Sequence, residues 1–150
     1  MFNSRNSELD RNLGVISREC MRYLNDLKYK NNKDSVVFDI DQTLINLNGK
    51  CIQPIKDVYD CAIKYGFNVF IITARLQSSE AFTKEQLNSI GINKYMTIYY
   101  RSMFENDIHR YKLECRKFIT SCGYNIIMSI GDSYWDFGEF GGRGILVPTY

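Results

Sequence analysis

No apolar run in the chain approaches the roughly 18–20 residues that a membrane-crossing helix needs. The opening stretch, Met1 to Asn12, is polar and lacks the apolar segment of a signal peptide, so the expected location is cytoplasmic. The five cysteines (Cys20, Cys51, Cys61, Cys115, Cys122) form no CxxC pair and no cluster with histidine. That excludes a zinc site and a secreted disulfide scaffold, and it predicts reduced, mostly buried thiols of an intracellular protein. There is a single histidine, His109, expected on a solvated face. Net charge is small as well: the value of +2 and pI of about 8.2 are too mild to imply nucleic-acid or membrane binding. A GxSxG elbow and a GxxxxGK[ST] loop are both missing, so serine hydrolase and P-loop NTPase fail on their own signatures.

What is present is an ordinary globular composition, 45% hydrophobic and 24% charged over 150 residues. That length suits one domain, residues 1–150, able to bury a core without a staple. Leu13, Ile16, Cys20, Leu24 and Leu27 recur at helical spacing, predicting a helix over about 7–30 ahead of a core from 35 to 150. Beyond the polar loop at Lys30–Asp34, short β-branched runs alternate with helical stripes. Strands are predicted at 35–38, 67–73, 95–100, 125–130 and 144–147. Helices are predicted around Ile55–Ile63, Ser79–Ile90 and Ile108–Cys122, with Gly66, Gly91 and Gly123 as stops. Strands apolar on both faces and alternating with helices imply an α/β fold, a Rossmann-like doubly wound parallel sheet of about five strands. In such a sheet the ligand lies beyond the carboxyl ends of the strands.

Those ends carry the chemistry. The first strand delivers Asp39 and Asp41, whose side chains would point the same way if the chain stayed extended. Paired carboxylates are costly unless a cation binds them or they share a proton; a solvated turn is the bland alternative. The second strand ends in Thr73-Ala74-Arg75, a hydroxyl and a guanidinium that could hold an anion. Lys112 lies near the start of the fourth helix, where a lysine is usually solvated. The fourth strand runs into Gly131-Asp132-Ser133-Tyr134-Trp135-Asp136, two further carboxylates after a glycine turn. Together these make one hard-oxygen pocket of three or four carboxylates suited to Mg²⁺, with Thr73, Arg75 and Lys112 suited to a phosphoryl group.

Four stretches, in order, resemble the motifs of the haloacid dehalogenase (HAD) superfamily: Phe38–Leu44, Ile71–Arg75, Tyr111-Lys112 and Gly131–Asp136. The acid phosphatase branch, the class B-like group with plant acid phosphatases and vegetative storage proteins, is the most similar. Thr83, Leu87, Tyr99-Tyr100-Arg101, Gly123–Ile126 and Leu146–Tyr150 carry that likeness. The resemblance implies a Mg²⁺-dependent phosphomonoester hydrolase. Asp39 would be the nucleophile that becomes an aspartyl-phosphate, and Asp41 the general acid and then base. Thr73 and Lys112 would hold the phosphoryl oxygens. The metal ligands would be Asp39, Asp41 through its backbone carbonyl, and Asp132, while Asp136 would bind the metal through water or support Lys112. Gln42 departs from the branch, standing where it usually has an acidic residue and where many relatives have glycine. The connections are too short for a full cap domain, and Ile45–Ile52, with its Asn48-Gly49 signal, predicts a short flap hairpin.

The expected substrate is a small phosphate ester or nucleotide, with Tyr99, Tyr100 and Trp135 as rings that either stack on a base or pack the core. A nucleic-acid 3′-phosphatase is the second enzyme reading, and a storage or binding protein on the same scaffold is the non-enzyme one. A response-regulator receiver is disfavoured because the third predicted strand ends without an aspartate. Abundant Asn, Ile, Lys and Tyr with only two prolines suggests an AT-rich genome, such as that of a large DNA virus or a low-GC microbe.

Overall fold

The computed structural model describes residues 4–149. Helix α1 (Ser4–Leu27) buries Leu13, Ser17, Cys20 and Leu24, positions four, three and four apart that share one face. It packs against α2 (Gln53–Lys64), whose first turn carries Pro54, where a missing N–H costs nothing. The strands are β1 (Asp34–Phe38), β2 (Asn68–Leu76), β3 (Thr97–Arg101), β4 (Asn125–Gly131) and β5 (Arg143–Leu146). Helices α3 (Glu80–Ser89) and α4 (Ile108–Ser121) complete the alternation.

All five strands are parallel, in the order β3-β2-β1-β4-β5. The central strand β1 is buried along its whole length, with Phe38 level with Ile71 of β2 and Ile130 of β4. Successive residues face opposite sides of the sheet. Val36 and Phe38 join the larger core cluster with Leu24, Ile55, Val58 and Met128, whereas Val37 joins Phe70, Ile72 and Ile119 beneath α4. The chain moves outward from β1 to β2 and β3, then crosses back to β4 and β5. The strand order therefore reverses between β1 and β4, and a crevice opens there beyond their carboxyl ends.

The predicted elements are present, with shifted ends. The first helix stops at Leu27 rather than Lys30. The third strand starts at Thr97 rather than Tyr95, because the approach to it is tied down elsewhere: the Tyr59 hydroxyl bonds the Lys94 carbonyl at 2.8 Å and the Lys94 N–H at 3.0 Å. The second strand runs on to Leu76. Gly91 and Gly123 adopt φ of 84° and 94° just after α3 and α4, a conformation costly for side-chain-bearing residues. The flap is a hairpin held by one bridge, Ile45 to Cys51, with the Asn46 carboxamide accepting from the N–H groups of Asn48 and Lys50. The thiols are free, but only Cys20 is buried, so the expectation of mostly buried cysteines is corrected: Cys51 in the flap, Cys61 on α2 and Cys115 on α4 are half-buried, and Cys122, just past the end of α4, is exposed. Among the described residues no helix is long and apolar enough to cross a membrane.

Candidate active site

The backbone leaves the sheet at Phe38 and enters a tight turn. The Asp39 N–H still bonds the Ile130 carbonyl at 3.0 Å, holding the end of β1 against β4. The Ile40 carbonyl then accepts from the N–H groups of Thr43, Leu44 and Ile45, at 3.1, 2.9 and 3.1 Å. Gln42 takes φ of 62°, the left-handed region that glycine enters freely, which gives a physical reason for glycine at the equivalent place in relatives. This turn corrects one expectation. The extended geometry behind it is absent, because β1 ends at Phe38, and the two side chains meet different surroundings: Asp39 is buried and Asp41 is exposed.

Asp39 faces inward to Lys112. The lysine Nζ lies 2.8 Å from Asp39 Oδ1 and also bonds Asp136 Oδ1. Lys112 is buried, not solvated, because α4 lies across the sheet with its first turns over the ends of β2 and β4. Burial opposes its charge, but the attraction of Asp39 and Asp136 outweighs that, and its pKa is raised. The other Asp39 oxygen accepts from the buried Thr43 hydroxyl at 3.1 Å.

The loop after β4 brings in the remaining carboxylates. Asp136 ends a 3₁₀ turn (Tyr134–Asp136), where its Oδ2 accepts from the Ser133 N–H at 3.0 Å. Asp39, Asp132 and Asp136 each offer an oxygen within 4.8 Å of the others. Two of these carboxylates have a raised proton affinity. Burial first, then the nearby Asp39 charge, pushes Asp132 up to about 7 and Asp136 up to about 6, with Lys112 restraining the latter. A compact set of hard oxygens of this kind is one a divalent cation can bind. The Asp41 carboxylate is not part of it, so three carboxylates converge rather than four.

Thr73 ends the straight part of β2 and is fully buried. Its Oγ1 accepts from the Arg75 N–H at 3.0 Å, leaving the hydroxyl proton free to donate. Arg75, expected as an anion holder, is committed elsewhere. Its Nε and Nη2 bond the two Asp41 oxygens at 3.0 and 2.8 Å, and its Nη1 bonds Thr83 and Gln86. Of the three aromatic candidates, Tyr99 packs edge-on against Phe118. Tyr100 has a buried hydroxyl without a hydrogen-bond partner. Trp135 is exposed and borders a groove of about 560 Å³ that it shares with Phe104, Glu105, His109 and Arg110.

Sequence reasoning missed several supporting residues. Arg116 is buried and donates to the carbonyls of Trp135 at 2.9 Å and Glu139 at 3.0 Å, fixing the loop that carries Asp136. The Tyr111 hydroxyl lies 2.8 Å from the carbonyls of both Thr73 and Tyr99, tying α4 to the ends of β2 and β3. A signal existed for Arg116: it stands one helical turn from Lys112 on the same face.

Carboxylates that follow two adjacent parallel strands thus meet a buried lysine at the point where the strand order of this Rossmann-like sheet reverses. The family model described as HAD superfamily, subfamily IIIB (Acid phosphatase), matches residues 47–149, and the chain belongs to that family of phosphatases. The matched segment contains Thr73, Lys112, Asp132 and Asp136, while Asp39 and Asp41 lie ahead of it. No curated protein matches the chain.

Proposed function

We propose that the protein is a Mg²⁺-dependent phosphomonoester hydrolase that works through an aspartyl-phosphate on Asp39, with a small phosphate ester or nucleotide as substrate. The observation that carries this reading is the position of Lys112, buried between Asp39 and Asp136 inside the three-carboxylate cluster. A carboxylate attacks a phosphate dianion only where cations offset the repulsion. Asp39, Asp132 and Asp136 would hold the Mg²⁺, which supplies charge neutralisation at the phosphoryl oxygens.

In this reading an Asp39 oxygen bonds to phosphorus as the ester P–O bond breaks. Asp41 gives its proton to the departing alcohol oxygen, then takes one from the water that attacks phosphorus and releases Asp39 and inorganic phosphate. Thr73 and Lys112 hold the phosphoryl oxygens. Trp135, next in the chain to Asp136, lines a groove with Phe104, and their exposed rings suit a nucleobase.

The deciding experiment is hydrolysis of p-nitrophenyl phosphate with Mg²⁺, by wild type and Asp39→Asn. Turnover abolished by the substitution and by a chelator supports the reading. Turnover indifferent to both overturns it. An active enzyme that prefers an oligonucleotide 3′-phosphate to mononucleotides, with salt-sensitive affinity, would replace the small-ester reading with nucleic-acid end processing.

A further inference from the structure

Arg75 is rooted where Asp41 is not. The Asp41 side chain is 58% exposed, whereas that of Arg75 is 15% exposed. The guanidinium grips both oxygens of Asp41 through Nε and Nη2, the planar fork geometry that fixes a carboxylate in rotation as well as position. On its far side Nη1 donates to Gln86 Oε1 at 2.8 Å and to the buried Thr83 Oγ1 at 3.2 Å. Both acceptors belong to α3, so the arginine spans from the end of β2 to a packed helix. Gln86 is itself backed by the flap: a Cβ placed on Gly49 would lie 3.6 Å from its Nε2.

Stability does not explain this arrangement. An ion pair with one partner mostly in solvent contributes little to stability. What the chain does gain is order in a carboxylate that stands on an exposed turn and is free to rotate without its partner. Positioning of a proton-transferring group is sensitive at this scale, since a misplacement of about 1 Å can cost about 100-fold in rate.

We infer that Arg75, held by Thr83 and Gln86, is a positioning residue that aims Asp41 at the leaving-group oxygen, and is not a holder of the phosphoryl group. This rests on the phosphomonoesterase reading proposed for the site. The consequence is a dependence on the leaving group. An aryl ester such as p-nitrophenyl phosphate departs with little help from a proton, whereas an alkyl ester such as glycerol 2-phosphate needs it transferred in the transition state.

The test compares kcat/KM for these two esters in wild type, Arg75→Lys and Gln86→Met. Lysine keeps the charge and loses the fork; methionine keeps the length and removes the acceptor. The ratio of alkyl to aryl kcat/KM should fall about tenfold or more in Arg75→Lys, part of the ~10²–10⁴-fold that a placed general acid supplies. It should fall in the same direction, by less, in Gln86→Met, which also serves if Arg75→Lys fails to fold. An unmoved ratio overturns the inference. Equal losses on both esters, together with weaker inhibition by inorganic phosphate, also overturn it and return Arg75 to phosphoryl binding. A wild-type protein inert toward both esters instead overturns the hydrolase reading itself, and this inference with it.

Discussion

Lys112 Nζ lies 2.8 Å from Asp39 Oδ1, a contact between residues 73 positions apart that joins the first turn of α4 to the end of β1. The same ammonium group bonds Asp136, so one cation neutralises part of a three-carboxylate cluster drawn from two strands. The electrostatics of the site turn on this group.

Lys112→Met should leave two buried carboxylates facing each other. Removing one member of a buried ion pair typically costs about 3–5 kcal/mol, and a cost in that range is expected near neutral pH without metal. The penalty should shrink in acid, where the carboxylates take up protons instead. Denaturant unfolding of both proteins at the two pH values checks this, and phosphatase turnover should be lost.

The raised values of Asp132 and Asp136, about 7 and about 6, set a pH dependence. In the folded state these groups hold protons to higher pH than in the unfolded chain, so their contribution to stability is complete in acid. It is lost as pH rises through about 6 to 7. Through these groups, metal-free protein should melt at a lower temperature at about pH 8 than at about pH 5. Added Mg²⁺ should raise the melting temperature more at the higher pH, because in acid it must first displace protons. Thermal unfolding with chelator and with Mg²⁺ measures both effects.

Gly131→Ala should disrupt the carboxylate cluster. A methyl group there would overlap the Asp136 carboxylate and its Cβ, so Asp136 must move. Overpacking of this kind costs about 1–3 kcal/mol, and the stabilisation by Mg²⁺ should fall along with it. Calorimetric titration with Mg²⁺ reads the second effect directly.

Arg116→Met should loosen the loop from Tyr134 to Glu139 without touching a candidate ligand. Two carbonyls lose a charged donor, at about 1.5–3 kcal/mol for a hydrogen bond of this type. Faster amide exchange across that loop, together with weaker Mg²⁺ binding, is the expected signature.

Much of this architecture was legible in the chain. Buried parallel strands announce themselves as short β-branched runs, and carboxylates directly after them land in the crevice the topology creates. The different burial of Asp39 and Asp41 was not legible, because three N–H groups converge on the Ile40 carbonyl and turn the chain out of the strand. The commitment of Arg75 was equally hidden. A guanidinium beside a threonine suits an anion, and only the approach of α3 supplies Thr83 and Gln86 to hold it against Asp41 instead.

The sequence by itself determined the α/β class, the order of elements and which carboxylates, lysine and threonine stand at strand and helix ends. Those features come from local propensity and hydrophobic period, which act over a few residues. The tertiary structure alone decided which of these groups meet. Lys112 became a buried bridge, Arg116 an anchor for the Asp136 loop and Arg75 a partner of Asp41, through contacts between segments separated by 19 to 73 positions. Pairing and burial depend on where helices settle on the sheet, and packing of the whole chain sets that.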